Sequence, residues 1–330
     1  MKVAVFGAGG VGAFYGGLLA RAGHDVHFIA RGAQRDALRT RGLRISSLSL
    51  GEIRIPPLPA ADRAEGVGVV DLVLVCVKAY QTEGILDQLS PLIGERTILM
   101  ALQNGIESDE LLAARFGASR IISAVVYVGA TLEEPGFVRH VAAGTLVIGR
   151  GVRMDAARGA DEADLDLERV RDALASTGLP VRVSPDLARQ RWHKLAWNAS
   201  FNAISALTLR SSQDLLANPP TRRLLLAMMA EVVAVANAHG VALAQADVDQ
   251  LVAATEKAAP IRTSMLVDRE RGRPMETDAL VGVVVRKGRE AGVPTPVADV
   301  LYALLTAIGT PAADVPHLPP MEAGSFSPQH

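Results

Sequence analysis

The sequence predicts an α/β chain in two parts, an N-terminal doubly wound parallel sheet followed by an all-helical C-terminal part. Three observations predict it. Apolar β-type runs alternate with helical segments from Lys2 to about residue 183. A glycine-rich turn, Gly7-x-Gly9-x-x-Gly12, directly follows the first run and opens a helix. After Ser184-Pro185 the β signal fades and long helical segments succeed one another.

Lys2 to Phe6 is a short apolar strand, and Ala13 to Ala22 carries helical spacing closed by Gly23. Asp25 to Ala30 is a second strand, residues 35–41 a short helix, and 43–55 an alternating hairpin ended by Pro56-Pro57. Asp71 to Val77 is almost wholly apolar, as a strand covered on both faces should be. A helix from Thr82, a strand at 97–102, a helix from Ser108 and a strand at 121–128 continue the alternation. Residues 137–149 read as a hairpin around Ala143-Gly144, and 165–177 as a helix. Residues 186–209, 219–239, 247–258, 276–291 and 296–308 read as helices. The expected division is 1–183, 184–310 and a loose tail at 311–330. Ligands should meet in the cleft between the first two.

Composition narrows the function. The chain has 330 residues, 49% of them hydrophobic, enough for a sizeable core. A net charge of −1 gives no general attraction to nucleic acid or anionic membrane. One cysteine, Cys76, excludes an internal disulfide framework and a cysteine-based metal cluster. The histidines show no metal-ligand spacing. The first twenty-odd residues imitate a secretory signal, but six glycines between Gly7 and Gly17 would make a poor apolar helix. With later apolar runs interrupted by Asp71 and Glu231, a cytoplasmic location is expected.

The glycine turn reads as a dinucleotide site, Gly7-Ala8-Gly9-Gly10-Val11-Gly12 cradling the pyrophosphate at a helix N-terminus. An NAD site usually carries an acid at the end of the second strand. Here that position reads Ile29-Ala30-Arg31-Gly32, and Arg31 can pair with a 2′-phosphate that an acid would repel. The expected cofactor is NADP(H).

Only five of the 34 basic residues are lysines (Lys2, Lys78, Lys194, Lys257 and Lys287), so each lysine is a departure. An amine can give up its proton and a guanidinium cannot. Lys194, Asn198 and Asn202 fall at i, i+4 and i+8 of one apolar helix and share a face. Asparagine is a mediocre helix former with an amide that is costly to bury unpaired. The face therefore points either to a polar ligand or to hydrogen bonds between neighbouring helices. His193 points away from it, toward packing.

With Gly7-x-Gly9-x-x-Gly12 and Arg31, the motifs Val77-Lys78-Ala79, Gln103-Asn104-Gly105, Trp192-His193-Lys194-Leu195 with Asn198 and Asn202, Ser264-Met265-Leu266 and Glu276-Thr277-Asp278 complete an ordered set. By these residues the chain resembles the ketopantoate reductase (2-dehydropantoate 2-reductase) family over essentially its full length. The resemblance implies a Rossmann domain joined to a helical domain like that of phosphogluconate dehydrogenase. It implies NADPH-dependent reduction of the ketone of ketopantoate to pantoate, in pantothenate and coenzyme A biosynthesis. By position, Lys194 would donate the proton and Glu276 would hold the substrate hydroxyl. Asn104 would touch nicotinamide ribose and substrate, while Asn198, Asn202 and Ser264 would hold substrate. Arg31 and Lys78 would lie near the 2′-phosphate.

Two positions depart from the family pattern: Val281 and Ser212 stand where such enzymes often carry asparagine. The alternatives are a reductase of another 2-oxo acid and a non-catalytic NADP(H) sensor. The expected partner is a small 2-oxo acid, with neither nucleic acid nor membrane; a homodimer is compatible with the sequence.

Overall fold

The computed structural model describes residues 1–150 and 160–309; the tail expected at 311–330 lies outside them. The chain begins β1 (Lys2–Phe6), α1 (Gly10–Arg21), β2 (Asp25–Ile29), α2 (Gly32–Thr40), β3 (Leu43–Ser47), β4 (Gly51–Ile55), β5 (Ala60–Ala61) and β6 (Leu72–Val75). It continues through α3 (Thr82–Leu89), β7 (Ile98–Ala101), α4 (Ser108–Phe116), β8 (Ser123–Glu134), β9 (Phe137–Gly149), α5 (Ala160–Ala175) and β10 (Val181–Val183).

The first sheet has the order β5-β2-β1-β6-β7 and is parallel throughout. From β1 the chain winds outward to β2 and β5 on one side, then to β6 and β7 on the other. The carboxyl ends of β1 and β6 therefore flank the topological switch point, where open α/β sheets bind ligands. Strand β6, Leu-Val-Leu-Val, is buried at every position because apolar clusters cover both faces of the sheet. Val3, Val5, Leu72 and Leu74 face inward with Leu43, Ile45, Val138 and Leu146 of the second sheet, and Ala4, Phe6, Val73 and Val75 face the opposite cluster.

Two expectations are corrected. The strands up to residue 183 form two sheets: β10-β9-β3-β4 make a second one, with β8 antiparallel to β9. The expected hairpin around Ala143-Gly144 does not exist. Strand β9 is continuous, and the turn is at Pro135-Gly136, between Glu134 and Phe137. Tyr127 pairs with Thr145 and Val128 with Ala143, so Gly144 is the extra residue of a bulge, at φ 113°. A lone glycine in a strand marks such a bulge as readily as a turn.

The helical part contains α6 (Leu187–Trp197), a π-helical turn (Asn198–Asn202), α7 (Ala203–Thr208), α8 (Ser212–Ala217), α9 (Pro219–Ala238) and α10 (Gln245–Lys257). Then come α11 (Ser264–Glu270), a second π-helical turn (Asp278–Gly282), α12 (Val283–Ala291) and α13 (Pro296–Gly309). The short helices α8 and α11 were not expected. Phe201, Met228, Met229, Val232 and Leu280 belong to its own buried core. No helix of the described residues is long and apolar enough to cross a membrane.

Candidate active site

Helix α1 starts directly behind the glycine turn. Its N-cap is Gly9, with no side-chain cap and no acid in the first turn, so the first N–H groups face outward with the positive end of the helix dipole. Gly7, at φ 99°, packs so closely on the loop after β6 that a Cβ there would stand 2.8 Å from the Val77 nitrogen. A Cβ on Gly12 would stand 2.0 Å from the Gly7 carbonyl oxygen, whereas one on Gly9 would meet nothing within 4 Å. Tight backbone packing behind and open space in front is what a pyrophosphate requires, so these residues fit a dinucleotide. Arg31, beyond β2, is exposed and donates to the neutral Gln88 side chain at 3.3 Å. No carboxylate stands between Ile29 and Gly32.

The second half of the site is built from three loops and one helix. Gln103 donates to the Val77 carbonyl at 2.8 Å and to Thr82 at 2.9 Å, tying the loop after β7 to the loop after β6. Next to it, Asn104 Oδ1 accepts from Lys194 Nζ of α6 at 2.9 Å. Asn104 Nδ2 donates to Glu276 Oε2 at 3.2 Å. Glu276, buried ahead of the second π turn, also accepts from the Ala79 backbone N–H at 3.1 Å. Lys194 also donates to the Val126 carbonyl at 2.7 Å, so two of its three donors are held.

Burial drives the Lys194 ammonium down to about 8; Glu276 opposes that shift and Arg191 adds to it. Lys78 goes the other way. Burial works against its charge, but Glu276 and Asp268 outweigh that and raise its pKa.

Asn198 lines a narrow cleft together with Gln103, Asn104, Arg191 and Lys194. Asn202 is fully engaged in the fold: its amide donates to Asn198 at 3.1 Å, and its oxygen accepts from Ser264 at 3.1 Å and from the Met265 N–H at 3.3 Å. Of the two purposes weighed for the shared face, helix-to-helix bonding is present at Asn202, while Lys194 and Asn198 border the cleft. Between the two asparagines the helix widens into a π turn, a distortion common at functional sites. Lys78, expected near a 2′-phosphate, is bonded within the protein. Its ammonium is held by Asp268 at 2.7 Å and lies 3.5 Å from Glu276, two buried carboxylates that draw it to the helical side.

Sequence reading missed five charged groups. Asp268 lies one turn after Ser264 on α11, and following that face forward would have found it. Arg191 and Asp109 form a buried ion pair between α6 and α4, and Arg286 holds Glu107 at 2.7 Å. No local pattern links residues that far apart.

The family model described as ketopantoate reductase PanE/ApbA matches residues 3–152, and its C-terminal counterpart matches residues 186–309. The chain belongs to the ketopantoate reductase family. A 2-dehydropantoate 2-reductase of Mesorhizobium japonicum is 35% identical over 92% of this chain and 97% of its own length. One from Archaeoglobus fulgidus is 31% identical over 93% and 97%. Among solved structures, the 2-dehydropantoate 2-reductase of Geobacter metallireducens superimposes with a TM-score of 0.86 at 34% identity, covering 93% of this chain and 99% of that one.

Against the ketopantoate reductase pattern, both departures prove to be internal. Val281 is fully buried in the helical core. Ser212, equally buried, donates to Gln213 at 2.5 Å and accepts from the Ile261 N–H at 3.0 Å, bracing α8 against the loop before α11. Neither presents a surface to the cleft.

Proposed function

We propose that this chain is an NADP-dependent oxidoreductase that reduces ketopantoate to pantoate, with residues 1–183 holding the nucleotide and 184–310 the substrate. One observation carries the reading: Lys194, Asn104 and Glu276 form a continuous hydrogen-bonded chain joining the helical part to the carboxyl edge of the parallel sheet. When bound, NADPH supplies the hydride.

Gly7, Ala8, Gly9, Gly10, Val11 and Gly12 would hold its pyrophosphate, Arg31 its 2′-phosphate, and Asn104 its ribose. Lys194 places a positive charge and a transferable proton where the ketone oxygen becomes an alkoxide, and its pKa of about 8 suits donation near neutral pH. Glu276, anchored by the Ala79 N–H, accepts from the substrate hydroxyl. Asn198 and Ser264 orient the rest of the substrate, with Asn202 fixing both. Lys78 balances the charge of Glu276 and Asp268. The pair is poised for proton transfer at one end and hydroxyl recognition at the other.

The test is NADPH oxidation by the purified protein against a panel of 2-oxo acids. Ketopantoate should give the highest kcat/KM. Turnover of a different 2-oxo acid in its place would keep the chemistry and change the substrate; turnover of none would overturn the reading.

A further inference from the structure

The proton donor and its partner Asn104 sit on different parts of the chain, so something must hold them in register. Arg191 is placed to do so. It lies one helical turn before Lys194 on α6, and its guanidinium reaches the Asp109 carboxylate at the start of α4, with both side chains almost fully buried, 7% and 1% exposed. A second donor of Arg191 lies 3.4 Å from the Gly105 carbonyl, in the residue after Asn104. The other Asp109 oxygen is buried with no hydrogen-bond partner among the described residues, so Arg191 is its sole neutralising contact. Two such groups would not be buried together cheaply for packing alone, and the Asn104 loop is the segment they fix.

We infer that the Arg191–Asp109 pair is a positioning device that fixes the Asn104 loop against α6 and sets the charge around Lys194. The inference rests on Lys194 being the proton donor. The charged and titratable groups facing Lys194 can be named element by element. Arg191 lies on its own helix, and Glu276 lies ahead of the second π turn, with Lys78 and Asp268 behind it. Asp109 lies on α4 behind Arg191, and the Tyr127 ring of β8 has its centroid 5.9 Å from Nζ. Arg191 is the cation that lowers Lys194, and Asp109 is the counter-charge paired with Arg191. Removing either partner should therefore move Lys194 in opposite directions, which a purely structural pair would not do.

The chain has only five lysines, so lysine labelled with carbon-13 at Cε gives few signals, and Lys194→Arg identifies the one that matters. Titration by NMR then reads Lys194 without reference to turnover. In Arg191→Gln its midpoint should rise by about one pH unit, roughly a tenfold change in proton affinity, and in Asp109→Asn it should fall. Both variants should lose kcat at least tenfold with a smaller change in NADPH Kd, since the nucleotide loop is untouched and only the Asn104 contact to the ribose is loosened. If a single substitution unfolds the chain, the double variant Arg191→Gln/Asp109→Asn leaves no unpaired buried charge and should still raise the midpoint, by less. Shifts in the same direction, or none in any folded variant, overturn the inference. The donor role of Lys194 is judged separately, by the turnover of Lys194→Arg, and survives that result.

Discussion

Asn104 accepts from Lys194 at 2.9 Å through its oxygen and donates through its nitrogen to Glu276 at 3.2 Å. A single amide thus reads both the expected proton donor and the expected hydroxyl acceptor, and it does so from a loop of the nucleotide-binding sheet. Any change that rotates this amide should be felt at both ends of the substrate.

Lys194→Arg should bind NADPH normally and lose roughly 100-fold or more in kcat, because arginine keeps the charge but cannot give up a proton. In the wild-type protein kcat should fall as pH rises through about 8, the value to which burial brings Lys194, since the ammonium is the donor and is lost above it. Initial rates from pH 6 to pH 10 under saturating ketopantoate measure the limb, on the order of one ionisation wide.

Arg31→Asp should weaken NADPH binding much more than NADH binding. It replaces the one charged group at the end of β2 with a charge that repels a 2′-phosphate. Fluorescence titration of both nucleotides gives the ratio, and an unchanged ratio removes Arg31 from the site.

Gly9→Ala and Gly10→Ala should separate binding from folding. Space is open in front of Gly9, at φ −73°, so alanine there should leave Tm nearly unchanged and reduce NADPH affinity. A Cβ on Gly10 would stand 2.3 Å from the Ala130 carbonyl of β8, so alanine there should destabilise the fold by ~1–3 kcal/mol. Thermal unfolding with and without NADPH distinguishes the two.

Glu276→Gln should reduce selection for the substrate hydroxyl. Glutamine keeps one acceptor for the Ala79 N–H but turns an amide toward Asn104 and Lys78, both donors. The ratio of kcat/KM for ketopantoate over 2-oxoisovalerate, which lacks the hydroxyl, should fall at least tenfold in this variant.

Val281→Asn, which restores the residue common in the family, should lower stability by ~1–3 kcal/mol and leave that ratio where it was. The side chain is in the core with no exposure, where an amide would lack partners. Denaturant unfolding beside the same kinetic ratio checks both statements.

The sequence by itself determined what depends on neighbours along the chain. The glycine turn, the missing acid at Arg31, the all-buried β6 and the Lys194-Asn198-Asn202 face are each contained within one turn, one strand or one short helical stretch, where period and residue type carry the signal. Tertiary structure decided the rest. It split the α/β part into two sheets and converted the turn at Gly144 into a bulge. It drew Lys78 to Asp268 and Glu276, and it brought Arg191 to Asp109 across 82 residues. These are electrostatic and steric choices among groups far apart in sequence. A buried charge takes the nearest opposite charge that the packed chain presents, and only the folded chain specifies which one that is.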